Sequence, residues 1–108
     1  MDDIGSKVVD SRNKVVDKKG NIRYFNEEGK LHSEGGRPSI EWRDGSKQWH
    51  ANGKQHRDGG LPAVEHIDGS KSWWVDNERH RDGGLPAVVR ADGRKEWYRY
   101  GRHLTSSE

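Results

Sequence analysis

The side chains capable of chemistry in this chain recur at a fixed interval. Histidines stand at His32, His56 and His80, each 24 residues after the last, with His103 displaced by one. Stacked imidazoles can ligate a transition metal, but a metal site needs three or four donors converging on one point. A fixed interval instead spreads equivalent residues along an axis. Each histidine is therefore expected to be a structural part of a turn, bonded to nearby backbone or to an aspartate, and no metal or cofactor is expected. Every serine of the repeating region sits at a turn, so no Ser-His-Asp arrangement is phased for nucleophilic catalysis. A catalyst needs one unique constellation in a shielded pocket. Near-identical units supply neither, so the expected protein is not an enzyme.

His56-Arg57-Asp58 and His80-Arg81-Asp82 match the triplet of a kinase catalytic loop. The Gly-rich loop, the downstream Asn and Asp-Phe-Gly are all missing from the sequence, so the match carries no phosphoryl transfer. Arg57 and Arg81 are expected to pair with an Asp or Glu of the following unit.

Two binding chemistries remain. Lys47, Lys71 and Lys95 each lie two residues before Trp49, Trp73 and Trp97. Cations beside rings suit single-stranded nucleic acid. Against that, Asp44, Asp68 and Asp92 would repel phosphate, and lysine stems can cover indoles that belong to the core. Trp74, Tyr98 and Tyr100 are aromatics that the repeated Trp series does not need. Rimmed by Arg79, Arg99 and Arg102, they have the composition of a protein-binding hot spot, or of a cap on the C-terminal end. The expected partner surface is Trp74, Arg79, Tyr98, Arg99, Tyr100 and Arg102. The expected partner is a protein or protein complex, with nucleic acid through Lys47, Lys71 and Lys95 as the alternative. A homodimer through exposed sheet edges is a further option.

The elements positioning these residues follow from the repeat. Pro38, Pro62 and Pro86 are 24 apart, and residues 35–58 and 59–82 share 12 of 24 positions without a gap. The repeat domain is expected over 14–104, with units at about 14–34, 35–58, 59–82 and 83–104. In the degenerate first unit Phe25 takes the place of the later tryptophans. Residues 1–13 lack the pattern and are expected to form a flexible arm, with a short tail at 105–108. Asp44-Gly45, Asp68-Gly69, Asp92-Gly93 and Asn52-Gly53 sit between strand-forming residues, which predicts two-residue type I′ hairpins. The predicted strands in the second unit are 38–43, 46–51 and 54–57. The fold class is all-β: tandem 24-residue β-hairpins in a meandering antiparallel sheet or short β-solenoid, with the indoles stacked along the array.

Composition agrees. Only 28% of the 108 residues are hydrophobic and 35% are charged, which alone would suggest disorder, yet the five Trp and fourteen Gly fall at regular places. Such a chain can build a thin sheet and no thick core. Twenty basic residues nearly balance eighteen acidic ones, a mixed surface that favours solubility over phosphate binding. There is no cysteine and no apolar run of membrane or signal-peptide length. The expectation is a soluble cytoplasmic protein that does not bind membranes.

The phrase Asn-Gly-Lys-Xaa-His-Arg-Asp-Gly-Xaa-Pro-Ala, carried by residues 52–63, and Asp-Gly-Ser-Lys-Xaa-Trp, carried by 68–73, resemble short tandem repeats of phage, giant-virus and bacterial proteins related to MORN-type repeats. The second glycine at Gly60 and Gly84, and Asn77 in place of a turn glycine, depart from that pattern. The resemblance implies a β-hairpin array and an interaction module. Small viral members resemble proteins that block host defences, such as anti-CRISPR proteins, which implies a phage-encoded inhibitor acting on a defence complex in the host cytoplasm.

Overall fold

The structure, a computed structural model of the chain, describes residues 13–104. The expected N-terminal arm, apart from Asn13, and the tail at 105–108 lie outside these residues.

The described chain is all-β, with thirteen short strands and no helix. The strands are β1 (Lys14–Val16), β2 (Ile22–Tyr24), β3 (Ile40–Glu41), β4 (Lys47–Gln48), β5 (His50–Ala51), β6 (Lys54–Gln55), β7 (Val64–Glu65), β8 (Lys71–Ser72), β9 (Trp74–Val75), β10 (Glu78–Arg79), β11 (Val88–Val89), β12 (Lys95–Arg99) and β13 (Arg102–Leu104). Nine of them form one open sheet in the order β1-β2-β3-β4-β7-β8-β11-β12-β13, and β5–β6 and β9–β10 are separate hairpins. Every pairing is antiparallel. The molecule measures 54 × 25 × 19 Å, thin as its composition requires. No helix among the described residues is long and apolar enough to cross a membrane.

The strands are shorter than the sequence pattern predicts because the chain changes partners midway. Trp49 donates its N–H to Ala63 O in the main sheet, while its own carbonyl accepts from His56 N in the hairpin. Trp73 does the same with Ala87 and His80. The predicted strand 46–51 therefore divides into β4 and β5 at the tryptophan.

The turns are of two kinds, which corrects the uniform type I′ expectation. Trp42 pairs with Ser46 across a three-residue loop in which Gly45 N–H bonds back to Trp42 O, and Asp44 is not left-handed. Asp44 instead accepts the Ser46 N–H on its carboxylate at 2.8 Å. That is a type I turn with a glycine bulge, stabilised by an Asx bond. His66–Ser70 and Arg90–Arg94 close in the same way. The true two-residue turns lie at Asn52-Gly53 (φ 51° and 90°), Asp76-Asn77 (49° and 73°) and Tyr100-Gly101 (46° and 86°), where both central residues are left-handed.

The core holds Tyr24, Ile40, Trp49, Ala63, Trp73, Ala87 and Val88. Tyr24, not Phe25, occupies the first tryptophan position: its N–H bonds to Ser39 O, as Trp49 bonds to Ala63 O. The first unit's hairpin carries the longer loop, with Asn26 bonded to Lys30, and that extra residue shifts the alignment by one. Each indole N–H reaches a glycine carbonyl thirteen residues back: Trp49 to Gly36 at 3.0 Å, Trp73 to Gly60 at 2.9 Å and Trp97 to Gly84 at 3.1 Å. The Trp49 and Trp73 indoles are covered by guanidinium groups, and no two indoles stack among the described residues. Arg57 lies 3.6 Å from the Trp49 ring centroid and Arg81 3.7 Å from that of Trp73. The expected lysine cover is thus supplied by arginine, whose flat, weakly hydrated head suits an aromatic face.

Candidate functional site

Hydrogen bonds between hairpins set the positions of the histidines. Asn52, Asp76 and Tyr100 donate their backbone N–H to Nδ1 of His32, His56 and His80, at 3.0, 3.3 and 3.0 Å. An N–H can only donate, so Nδ1 carries the lone pair and Nε2 carries the proton. Nε2 of His56 and His80 donates to Asp58 and Asp82, each at 2.7 Å. His32 meets Glu34 in the same way. Each imidazole fastens one turn to the hairpin before it and uses a carboxylate of its own. No three His, Asp or Glu among the described residues gather closely enough to hold a metal.

The six residues of the expected partner surface collect around β9–β10 and β12–β13. Arg79 lies between two rings, its guanidinium carbon 5.3 Å from the Trp74 centroid and 5.2 Å from that of Tyr98. Its Nη1 donates to Tyr98 Oη at 3.1 Å, and its Nε is buried with no partner among the described residues. Trp74 is anchored by its indole N–H to Ser72 Oγ at 2.8 Å. Tyr98 Oη donates to Glu96 at 3.4 Å. The other oxygen of Glu96 takes Nε and Nη2 of Arg90 at 2.9 and 2.7 Å, and that bond holds the Glu96 carboxyl below its usual pKa. His103 tilts against Tyr98 at 4.8 Å. Trp74, Arg79 and Tyr98 thus form one preorganised unit.

Tyr100 stands beside it at the turn. Its ring stacks on His80 at 3.8 Å, yet the residue remains 61% exposed. Arg99 and Arg102 flank this turn as direct cross-strand partners. Both are exposed, and neither has an ion-pair partner among the described residues. Sequence reasoning missed Glu96, Arg90, His80 and His103 as supports of this surface. For His80 the signal was present in the periodicity, since its carboxylate and turn contacts repeat those of His56.

Lys47, Lys71 and Lys95 fall in one cross-strand row. In register it reads Ile22, Glu41, Lys47, Glu65, Lys71, Val89, Lys95. Lys47 has a glutamate on each side, Lys71 has one, and Lys95 has only Val89. The three lysines are equivalent in sequence and unequal in surroundings. Comparison with family models, curated proteins and solved structures finds no match to this chain.

Proposed function

We propose that the chain is a non-enzymatic protein-binding module whose contact surface is the C-terminal hairpin and the Trp74–Arg79–Tyr98 unit behind it. One observation carries this reading: the turn that exposes Tyr100 is flanked by Arg99 and Arg102 directly opposite each other, and neither forms an ion pair among the described residues. Like charges facing across a strand pair are destabilising. A tyrosine at φ 46° is likewise strained relative to glycine or asparagine. The His80 stack and the bond from the Tyr100 N–H to His80 offset the turn strain, while the facing arginines have no ion-pair partner among the described residues, and a local rule broken in this way marks a functional position. An acidic patch on a partner would supply the missing compensation, with Tyr100 and Trp74 as rigid anchors.

Contacts that recur every 24 residues support an array of stacked units as the scaffold. The resemblance to small viral repeat proteins directs the search for partners to bacterial defence complexes, CRISPR effectors among them. Nucleic-acid binding is disfavoured by the glutamates interleaved with Lys47 and Lys71. The test compares the wild-type chain with Tyr100→Ala and Arg102→Ala as affinity baits. Arg102→Ala should keep the wild-type melting temperature, Tyr100→Ala should stay folded with a small loss from the His80 stack, and both should lose a partner that wild type retains, by at least about 2 kcal/mol for a true hot spot. Micromolar oligonucleotide binding that falls steeply with salt and is indifferent to both variants would refute the reading.

A further inference from the structure

Arg57 and Arg81 occupy the same place 24 residues apart, and their surroundings agree in all but one contact. Each has its guanidinium carbon over a buried indole, at 3.6 and 3.7 Å from the ring centroid. Each donates from Nη1 to a proline carbonyl, Pro62 and Pro86, at 3.0 Å. Arg57 also reaches Glu65 Oε2 at 3.1 Å. The residue 24 positions after Glu65 is Val89, and Arg81 has no carboxylate partner among the described residues. The sequence expectation of a carboxylate from the next unit therefore holds for Arg57 alone.

The cross-strand row shows what surrounds that gap. Val89 is in register with Lys71 on one side and Lys95 on the other. Residues directly opposite on neighbouring strands share a face, with Cβ atoms about 4.5–5.5 Å apart. Alternation of Glu and Lys along the row stops at Val89, so Lys71 and Lys95 flank a position that holds no anion, with Lys95 Nζ resting on Gly93 O at 3.4 Å and Arg81 over the Trp73 ring. Burial also pushes the Arg81 guanidinium below its usual pKa, so a counter-charge there is favoured.

We propose that Arg81, Lys71 and Lys95 form an anion site above Val89 that takes an aspartate or glutamate side chain of a partner protein, supplying from outside the carboxylate that Glu65 supplies internally one unit earlier. A single carboxylate is favoured over a phosphate because the Arg57–Glu65 pair is a working template for it. Strand alternation puts this site on the face opposite Glu96 and its partner Tyr98, so it is a second contact. The proposal rests on the reading that the chain binds protein.

Val89→Glu tests it, because the fold already accepts glutamate at the equivalent Glu41 and Glu65. The probe is a fluorescein-labelled hexaglutamate peptide, read by anisotropy at low salt. Val89→Glu and Arg81→Gln should each weaken binding by about tenfold. Val89→Gln, and Val15→Glu at the far end of the sheet with the same charge change, should bind like wild type. Glu65→Gln should bind more tightly, because it vacates a second site at Arg57. The C-terminal surface also attracts acidic chains, so the comparison is repeated in an Arg99→Ser, Arg102→Ser background, where a loss caused by Val89→Glu reads this site and not the C-terminal surface. Equal binding by Val89→Glu and Val15→Glu would overturn the proposal. So would an oligonucleotide that outcompetes the peptide at equal charge and loses affinity in Val89→Glu, which would mark a phosphate site.

Discussion

Trp73→Ala removes an indole that is 9% exposed, bonded through its N–H to Gly60 at 2.9 Å and covered by Arg81 at 3.7 Å. Emptying a buried aromatic site costs about 3–5 kcal/mol. The lost hydrogen bond adds about 1 kcal/mol, and the guanidinium stack about 0.5–1 kcal/mol. Domains of this size are stable by only about 5–15 kcal/mol, so Trp73→Ala and Trp49→Ala should leave little or no folded protein. Graded variants keep the prediction measurable. Trp73→Phe retains most of the ring and gives up the N–H bond, for about 1–2 kcal/mol. Arg81→Met keeps the apolar stem and drops the cation, for about 0.5–1 kcal/mol. Trp97 is half-buried and has no guanidinium over it among the described residues, so Trp97→Ala should cost well under half of Trp73→Ala, about 1.5–2.5 kcal/mol. The assay is urea unfolding followed by circular dichroism, with the midpoint and slope fitted for each variant. If Trp97→Ala is as damaging as Trp49→Ala, cover by the arginine and the next unit is not what makes these rings stabilising.

Two further outcomes follow from single groups. Burial holds the His50 imidazole below its ordinary 6.5, so the unfolded chain takes up that proton first. This contribution to stability is whole above about pH 6.5 and is lost as pH falls from there toward the folded value; urea midpoints across that range should slope less in His50→Gln, and equal slopes would exclude the effect. Gly45→Ala should be more destabilising than Gly69→Ala: both glycines are left-handed, at φ 101° and 97°, but a Cβ on Gly45 would meet Ile67 Cδ1 at 3.0 Å while one on Gly69 meets nothing within 4 Å. Melting temperatures of the two variants decide it, and equal losses would mean that Ile67 yields freely.

The all-β class and several of the turn positions were legible because glycine, asparagine and aspartate punctuate the chain where the backbone must reverse, whereas the strand order, with β5–β6 and β9–β10 set apart from the main sheet, was not. The turn types were also less legible. Asp-Gly and Asn-Gly look alike as dipeptides, but Ser46 after Asp44 offers an N–H to the aspartate and draws the chain into a bulged three-residue loop. The first unit was misaligned by one residue because Phe25 and Tyr24 are both large aromatics, and only the longer loop at Asn26–Lys30 shows which of them faces inward. Within the proposed surface, residue types pointed to Trp74, Tyr98 and Arg79. That Arg79 lies between the two rings depends on the docking of one hairpin against the next.

What the sequence by itself determined is local: short strands, an all-β fold, large aromatics and histidines at a fixed interval, and turns at Asp-Gly and Asn-Gly. Local backbone preference and strict alternation of side chains suffice for these, since both act over a few residues. What only the tertiary structure decided is pairing between units. Lys47, Lys71 and Lys95 each stand two residues before a tryptophan, yet Lys47 lies between Glu41 and Glu65, Lys71 between Glu65 and Val89, and Lys95 beside Val89 alone. Arg57 and Arg81 read alike, yet Arg57 has a carboxylate partner and Arg81 has none among the described residues. Charge interactions depend on distances of a few ångströms across strands far apart in the chain, and those distances exist only after the strands have paired in register.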